Sequence, residues 1–221
     1  VESPIDNAFN PNQPRDAKGR FAHTGAAKAS RVVGRDGHRF PSEEQLHNLE
    51  FVKQLGGSTG AVLVKDPETG QLYVRKTGSS PGHLRSEFHA EEAYRAAGVP
   101  MASSHLYETE MGPVKLSKYI EGKTLNQLTN AEATALLPQI QKHFATDALL
   151  ANWDVVGLSK DNLMVDKHGT VYRIDTGGAL TYRAQGALKG DKWNGAASEI
   201  DSMRTNPKNP SAVWAFGGMS P

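Results

Sequence analysis

Three strand-like segments follow one another closely, and their spacing constrains the fold more than any other feature of the chain. Residues 49–55, 61–66 and 71–77 are rich in strand-forming side chains, and the turns GGSTG (56–60) and PETG (67–70) separate them. Strand-forming runs bounded in this way by glycine, proline and serine are typical of hairpins. The sequence therefore predicts an antiparallel meander in the N-terminal part of the chain.

A helix is predicted after the meander, over residues 83–98. Leu84, Phe88 and Tyr94 recur at helical spacing and give this segment a broad apolar face. Gly98 is a suitable residue to end the helix. The change from a period of two residues to a period near 3.6 thus indicates one helix after the first three strands.

The rest of the chain continues this alternation. The first predicted element is an antiparallel pair, SHLYETE and PVKLSKYIEG (113–122), turning at Met111-Gly112. A helix from about Asn130 to Leu150 follows, which tolerates Pro138 or kinks there. A hairpin, NLMVD and VYRID turning at Lys167-His168-Gly169, comes last. Strands, helix, strands, helix and hairpin in this order are typical of an α+β fold. We predict two lobes, an antiparallel sheet with one helix and a short, mainly helical C-terminal lobe.

Residues 1–41 lack the periodicity of either element. They are rich in Asn, Pro, Gly and Ala, and the first 40 residues contain seven Lys or Arg against four Asp or Glu. A segment of this composition cannot bury enough apolar surface to offset its ordering entropy. We predict a disordered leader over residues 1–41 that the fold does not need, with order resuming at Ser42 as a helix N-cap.

Composition excludes several classes of function. The chain has no cysteine, which excludes disulfides, cysteine nucleophiles and thiolate metal sites. Its 25 Lys and Arg balance 24 Asp and Glu, so the chain as a whole is not suited to bind a polyanion. The basic leader could contact nucleic acid, but a solvated tail is the favoured interpretation. No apolar run approaches the length of a transmembrane helix, and no signal peptide is recognisable. We expect no membrane partner.

The turn between the first two strands has the composition of a phosphate-binding loop. It consists of Gly56, Gly57, Ser58, Thr59 and Gly60. Glycines let backbone N–H groups approach phosphate oxygens closely, and the two hydroxyl groups could add donors. A plain hairpin turn is the alternative, because the Gly-Lys-Ser/Thr end of a Walker loop is missing.

Lys76 lies one strand after this loop, on the strand face that it shares with Leu72 and Val74. A lysine at the end of an apolar face often extends to solvent, but this position would also reach phosphates held by the loop. Such a lysine needs a carboxylate to orient it, and the following helix offers Glu87 and Glu91, one turn apart on one stripe. We favour Glu87 and keep Glu91 as the alternative.

Three polar residues mark the C-terminal hairpin and the loop before it. Asp154 follows the predicted helix, Asn162 begins one strand of the hairpin, and Asp175 ends the other. Hairpin geometry brings Asn162 and Asp175 to the same end, where an amide oxygen and a carboxylate suit Mg²⁺. Asp154 is placed to accept a proton from a substrate hydroxyl group. Each residue alone is also compatible with a simple turn, whereas the ordered set indicates phosphoryl transfer.

Together these motifs resemble the protein-kinase-like superfamily, in particular its atypical members, the HipA-type toxin kinases and the phosphoinositide-kinase-like group. The resemblance covers about residues 46–205. It consists of GGSTG as Gly-rich loop, YVRK as lysine strand, LSKYIEG as hinge, NWD and DN as catalytic loop, and RIDTGG as metal-binding segment.

This resemblance implies a fold, cofactors and residue roles. Residues 42–122 would form the N-lobe with the Gly-rich loop and hinge, and residues 123–221 the C-lobe with the catalytic and metal-binding loops. ATP and Mg²⁺ would be the cofactors. The implied roles are phosphate binding by Lys76, orientation of Lys76 by Glu87, catalytic base for Asp154, Mg²⁺ binding by Asn162 and Asp175, and nucleotide contact by the Gly-rich loop and by Tyr119 of the hinge.

The resemblance also suggests a substrate and a location. A protein serine or threonine is the leading acceptor, as in an effector or toxin kinase, and a lipid, small molecule or nucleotide stays open. The leader sequence NPNQPRDAKGRFA resembles linkers of phage structural and head-morphogenesis proteins. The expected location is therefore the cytoplasm of a bacterial host or a phage particle.

The catalytic loop departs from the family pattern in its spacing. Kinase catalytic loops place the asparagine five residues after the aspartate, whereas Asn162 follows Asp154 by eight. Asp161 is therefore a second candidate for the base. Neighbouring residues entering a strand point to opposite faces, so we expect Asp161 to face away from a metal bound by Asn162.

Two other functions compete with phosphoryl transfer. A kinase fold without catalysis would serve as a structural or binding module of a phage particle. Asp175-Thr176-Gly177 also matches the way in which retroviral-type aspartic proteases present their carboxylate, but the polar sequence after it lacks the expected flap and later apolar strand. Binding of Mg-ATP would distinguish the three.

Overall fold

The structure, a computed structural model, describes residues 30–56, 60–193 and 199–219. These residues form an α+β fold with an antiparallel sheet in the N-terminal part and short helices in the C-terminal part. The predicted fold class is confirmed. None of the helices within these ranges is long and apolar enough to cross a membrane.

A small hairpin precedes the main sheet. Its strands, β1 (Val32–Val33) and β2 (Arg39–Phe40), pair antiparallel. Phe40 is fully buried and belongs to the same hydrophobic cluster as Tyr73 of the main sheet. The hairpin is thus part of the folded domain.

This packing corrects the leader predicted over residues 1–41. Arg31 forms an ion pair with Asp66, and Tyr107 donates a hydrogen bond from its hydroxyl to Pro41 O at 2.7 Å. One buried aromatic ring and these polar contacts order residues 31–41, although their composition alone predicts disorder. Residues 1–29 of the predicted leader lie outside the described residues.

The main sheet contains five antiparallel strands. They are β3 (Glu50–Gly56), β4 (Ala61–Lys65), β5 (Leu72–Lys76), β6 (Ser104–Thr109) and β7 (Gly112–Lys118). Their order across the sheet is β3-β4-β5-β7-β6, so the predicted meander and the predicted second strand pair join where β5 pairs with β7. Both predictions are confirmed, and this junction places Lys76 directly opposite Lys115.

Helix α1 (Pro81–Ala96) contacts β6 and β7 and has clear signals at both ends. Ser80 caps it, because its side chain accepts a hydrogen bond from His83 N at 3.2 Å. Gly98 follows the helix with a φ of 72°, a left-handed conformation that ends it as predicted.

The buried face of α1 is more polar than its spacing predicts. Leu84 and Tyr94 are fully buried, but Phe88 is only half-buried while Glu87 and Glu91 are buried. Removing an unpaired charge from water is costly, so two acidic side chains on a packed face require cationic partners. Those partners are lysines of the sheet.

The helix predicted from Asn130 to Leu150 is three short helices. These are α2 (Asn130–Ala135), α3 (Leu137–Gln141) and α4 (Phe144–Leu149), and strand β8 (Gly122–Thr124) precedes them. Pro138 lies in the first turn of α3. Because proline has no N–H to bond back to the preceding turn, it accounts for the break between α2 and α3.

The predicted C-terminal hairpin is present as β9 (Leu163–Asp166) and β10 (Val171–Arg173). Gly169 allows the turn between them with a φ of 80°. Strand β8 pairs with the other side of β9, which makes a three-stranded sheet. Two further helices, α5 (Glu199–Thr205) and α6 (Pro210–Phe216), pack against each other.

The two parts of the chain have separate hydrophobic cores. The first contains Phe40, Leu46, Val64, Tyr73, Tyr107, Val114 and Leu116. The second contains Leu125, Ile140, Phe144, Ala148, Val155, Val156, Leu163, Val171, Met203, Ala212, Ala215 and Phe216. A third cluster, which includes Tyr94 of α1, Leu150 and Ala179, links them and fixes α1 against the segments before and after the hairpin.

Candidate active site

A cavity of about 420 Å³ lies where the main sheet, the segment after β7 and the C-terminal hairpin meet. The predicted site residues that line it are Gly56, Lys76, Tyr119, Asn162 and Asp175. Apolar side chains, among them Ala61, Val74 and Met164, form other parts of the wall. A concave site with apolar walls and a few converging polar groups is typical of cofactor-binding sites.

The Gly-rich turn begins and ends with glycines whose left-handed backbone conformation favours glycine over other residues. Gly56 has a φ of 79° and Gly60 a φ of 67°, and no described atom lies within 4 Å of a Cβ built at either position. Conformation, and not lack of space, therefore requires glycine at both ends. Gly56 lines the cavity and Gly60 does not. Gly57, Ser58 and Thr59 lie outside the described residues.

Lys76 ends β5 with its side chain buried toward α1. Its Nζ lies 2.8 Å from Glu87 Oε1 and 3.7 Å from Asp175 Oδ1. Burial by itself would lower the pKa of Lys76, but the carboxylates of Asp175 and Glu87 outweigh it and hold the pKa above its ordinary value. A charged ammonium group is thus fixed between α1 and the hairpin.

Geometry distinguishes the two candidate carboxylates of α1. Glu87 contacts Lys76, whereas Glu91, one turn further along, forms an ion pair with Lys115 and accepts a hydrogen bond from Ser104. Burial would raise the pKa of Glu87, but Lys115 and Lys76 outweigh it and hold the pKa well below the ordinary value. The partner of Lys76 is therefore Glu87.

Lys115 is a member of this cluster that the sequence did not predict. It lies opposite Lys76 in the sheet, and its Nζ is 2.7 Å from the same Oε1 of Glu87. Like charges directly opposite on neighbouring strands repel, and Glu87 neutralises both. The sequence did contain a signal for this lysine, namely strand alternation. Val114 and Leu116 point into the first core, so Lys115 between them must point to the opposite face of the sheet, which packs on α1.

Asp175 lies just beyond β10, with 41% of its side chain exposed at the cavity. Its Oδ1 accepts a hydrogen bond from Gly177 N at 3.0 Å, so the Asp-Thr-Gly turn itself orients the carboxylate. Thr176 donates a hydrogen bond from Oγ1 to Glu87 O at 3.2 Å. The segment that carries Asp175 is thereby attached to the helix that carries the partner of Lys76.

Asp154 and Asn162 lie together despite the long gap between them. Asn162 donates a hydrogen bond from Nδ2 to Asp154 O at 2.8 Å. The chain turns at Gly157, whose φ is 77°, and a Cβ there would overlap the Asp161 carboxylate and lie 3.0 Å from Asn162 N. The additional residues therefore form a compact turn that only glycine permits.

Asp154 is half-buried beside this turn. Burial raises its pKa to about 6, and repulsion from Asp175 and then Asp161 acts in the same direction. Among the described residues, no group donates a hydrogen bond to its buried Oδ1. Asp154 thus has a free oxygen and a pKa close to neutrality.

Asp161 does not face away from the site as strand alternation predicts. It lines the same cavity as Asn162 and Asp175. The prediction is wrong because β9 begins only at Leu163, so the alternation of a strand does not govern the two residues before it.

The donor set at this end of the cavity fits Mg²⁺. Asp175, Asp161 and the amide oxygen of Asn162 are oxygen donors, and Mg²⁺ keeps several waters, so it needs few protein ligands. Asp175 and Asp161 lie close enough to Asp154 to help raise its pKa, and these three carboxylates together form an excess of negative charge that a divalent cation would offset. Within the described ranges, no three His, Asp or Glu side chains form a complete metal site.

Comparisons with known proteins bear on the fold. Neither the family models nor the curated proteins compared with the chain match it. Solved structures do match, and one is the crystal structure of the Helicobacter pylori proinflammatory kinase CtkA, with a TM-score of 0.50 and 16% identity over 76% of this chain and 79% of that chain. The fold is kinase-like. It has the N-terminal sheet and helical C-terminal part expected of that class, while the activity has to be argued from the site.

Proposed function

We propose that this chain is an ATP- and Mg²⁺-dependent phosphotransferase, specifically a protein serine/threonine kinase of effector or toxin type. One observation carries the proposal. The Lys76–Glu87 ion pair, at 2.8 Å, adjoins the same cavity that Asn162 and Asp175 line. Kinases use a lysine oriented by a helix carboxylate, facing an asparagine and an aspartate, to hold nucleotide phosphates and metal.

Lys76 would bind the phosphates of ATP, and Tyr119 and Gly56 would contact the nucleotide from the cavity wall. The second lysine has a purpose in this arrangement. Because Lys115 also contacts Glu87, the carboxylate stays paired when the ammonium of Lys76 turns toward a phosphate. An uncompensated buried carboxylate would oppose that movement.

Asp154 would act as the general base toward the acceptor hydroxyl group. A general base works best with a pKa near the operating pH, and burial raises the pKa of Asp154 to about 6. The hydrogen bond from Asn162 to its main chain fixes the loop. Asn162 and Asp175 would hold Mg²⁺, which when bound offsets the charge of the transferred phosphoryl group.

The acceptor that we propose is a serine or threonine hydroxyl group of a protein. The Helicobacter pylori neighbour is described as a proinflammatory kinase, and the sequence motifs resemble HipA-type toxin kinases. Both favour an effector that acts on other proteins. The linker-like leader sequence favours an origin in a bacterial host or a phage particle.

The Asp175-Thr176-Gly177 motif does not favour an aspartic protease here. Such enzymes use two carboxylates that share one proton. In this fold the ion pair of Asp175 is with the ammonium of Lys76, at 3.7 Å. A proton-sharing dyad at Asp175 would have to displace that lysine.

Binding of Mg-ATP is the first test. Nucleotide at about 100 times its dissociation constant should stabilise the fold by about 2.7 kcal/mol and raise Tm. Lys76→Met should lose most of this increase and still fold, because Lys115 continues to pair with Glu87. Lys142→Met, at an exposed lysine, is the matched control and should respond like the parent.

Labelled ATP then distinguishes a kinase from a binding module. We expect transfer of the γ-phosphate to protein in a bacterial lysate, with loss of transfer in Asp175→Asn. An unchanged Tm of the parent in millimolar Mg-ATP would contradict a nucleotide site. Binding without any transfer would instead support a kinase fold that lacks catalysis.

A further inference from the structure

Lys189 makes contacts that the chemistry described above does not use. Its Nζ donates hydrogen bonds to Ala151 O at 2.7 Å, to Gly178 O at 2.8 Å and to Leu180 O at 2.7 Å. An ammonium group has three donors and no acceptor. Three main-chain carbonyl groups therefore satisfy this side chain.

The three carbonyl groups belong to the two segments that carry the candidate catalytic groups. Ala151 precedes Asp154 by three residues, and Gly178 follows Asp175 by three. The segments also touch directly at this point, because Leu180 N donates a hydrogen bond to Leu150 O at 2.7 Å. One ammonium group thus spans the catalytic loop and the metal-binding segment.

Two of these carbonyl groups belong to residues with an unfavourable backbone conformation. Ala151 has a φ of 51° and Leu180 a φ of 55°, and among the described non-glycine residues only Lys160 shares a positive φ. Such conformations persist only where surrounding contacts determine them, and they concentrate at functional sites. The contact with Lys189 is common to both residues.

The cation also explains how three carbonyl oxygens can converge. Oxygens with partial negative charge repel one another unless a positive group lies between them. Burial lowers the pKa of Lys189 to about 8, with Glu199 acting in the opposite direction, so the group carries its charge at pH 7. Trp193 lies 5.5 Å from the ammonium and adds a cation–π contact.

We propose that Lys189 is a positioning residue whose ammonium group holds the loop of Asp154 and the segment of Asp175 at the separation that phosphoryl transfer requires. This inference rests on the proposed function. Without the ammonium, three carbonyl groups lose their donor and two strained residues are released. Turnover should therefore fall more than nucleotide affinity, since Lys76 and the cavity wall stay in place.

The lack of cysteine in the chain allows the ammonium to be removed and then restored at this one position. In Lys189→Cys, 2-bromoethylamine alkylates the single thiol and gives a side chain of the length of lysine that ends in an ammonium group. Lys189→Met supplies a neutral side chain of similar size. Lys142→Met, at an exposed position, is the matched control.

Each protein is measured well below its Tm, with phosphate release from Mg-ATP giving kcat and calorimetric titration with Mg-ATP giving Kd. Lys189→Met and unmodified Lys189→Cys should lose about tenfold or more in kcat, because misplaced catalytic groups slow the chemical step. Their Kd should stay within about threefold of the parent. The aminoethylated protein should recover the kcat of the parent, and Lys142→Met should match it throughout.

A role in stability alone would lower Tm and leave the kcat of the folded protein unchanged. That result would overturn the proposal, as would an aminoethylated protein that stays as slow as Lys189→Met. If the parent itself neither binds nor hydrolyses Mg-ATP, the proposed function fails. Hydrogen exchange then tests separately whether Lys189 holds the two segments together. The amide of Leu180 should then exchange faster in Lys189→Met and in unmodified Lys189→Cys than in the parent, and aminoethylated Lys189→Cys should regain the protection of the parent. Equal protection in the parent, Lys189→Met and aminoethylated Lys189→Cys would refute the role of Lys189 in joining the two segments.

Discussion

At the scale of single residues, Asp154 and Asp161 compete for the role of base. Asp154 has a free buried oxygen and a pKa raised to about 6 by burial and by its acidic neighbours. Asp161 is exposed and lines the cavity beside Asn162 and Asp175. Under the proposed function, burial would suit Asp154 to proton transfer, and exposure at the oxygen-rich end of the cavity would suit Asp161 to support Mg²⁺.

Kinetics of two variants should separate these roles. Asp154→Asn should lower kcat by about 10²–10⁴, the usual contribution of a general base, with little change in the Mg²⁺ concentration required. Asp161→Asn should raise the Mg²⁺ concentration at half-maximal rate and keep most of the kcat at saturating metal. The reverse pattern would show that Asp161, and not Asp154, is the general base. Phosphate release from ATP across a Mg²⁺ titration measures both quantities.

Lys115 and Glu87 show why the cluster tolerates burial. The ions Lys76, Glu87, Lys115 and Glu91 carry two positive and two negative charges, and all four are buried. A balanced group of this kind avoids the penalty of a single unpaired charge. Lys76, the proposed phosphate-binding lysine, and Lys115 therefore share the carboxylate of Glu87.

At the scale of elements, the β1–β2 hairpin extends the fold beyond its predicted start. Phe40 is its one buried member of the first core, with a ring centroid 5.7 Å from that of Tyr73, and Val32 packs against this core partly buried. The hairpin has few other buried apolar groups among the described residues, since Val33 is 59% exposed. The apolar part of its attachment to the sheet therefore depends mainly on one aromatic ring.

Removal of the Phe40 ring should destabilise the fold. We expect Phe40→Ala to lower the free energy of unfolding by about 3–5 kcal/mol, the usual range for a buried phenylalanine. Val33→Ala, in the same hairpin but exposed, should stay within about 0.5 kcal/mol of the parent. Chemical denaturation of both variants tests the difference. Equal stability of Phe40→Ala and the parent would mean that the hairpin does not pack on the sheet and that the leader does extend to residue 41.

Contacts between elements also explain why three short helices replace one long helix. Residues 130–150 have the composition of one helix, but Pro138 interrupts its hydrogen bonding and Asp147 of α4 must meet Arg173 of β10. Their contact, at 2.7 Å, is fully buried. Packing of α4 on the hairpin thus takes precedence over the continuity of the helix.

At the scale of the whole molecule, acid should weaken the fold through Glu87. Its pKa is lower in the folded chain than its ordinary value of 4.5, because Lys115 and Lys76 outweigh burial. The unfolded chain therefore binds a proton more readily, so this contribution to stability is present above about pH 4.5 and is lost as the pH falls below it.

Comparison with Glu87→Gln isolates this effect. The variant should be less stable than the parent at pH 7, because the two lysines lose their shared anion. Its stability should also decrease less between pH 6 and pH 3, about the range in which this glutamate, with its ordinary pKa of 4.5, gains a proton in the unfolded chain. Urea denaturation followed by tryptophan fluorescence measures both. Parallel pH profiles would contradict the assignment of Glu87 as an ionised partner of both lysines.

The sequence alone determined the features that depend on neighbouring residues. Strand alternation placed Lys76 on one face with Leu72 and Val74, helical spacing placed Glu87 one turn before Glu91, and the hairpin turn brought Asn162 and Asp175 to one end. These relations follow from backbone geometry with periods of 2.0 and 3.6 residues. The meander, helix α1 and the kinase-like order of elements could be predicted for the same reason.

Only the tertiary structure decided the contacts between distant segments. Lys115 meets Glu87 across 28 residues of sequence, and Lys189 meets Ala151 across 38. No local pattern encodes such pairs, because they depend on how β7, α1 and the two loops pack. Packing likewise ordered Phe40 within a segment of disordered composition and turned Asp161 into the cavity, since burial and shape over the whole fold outweigh local preference.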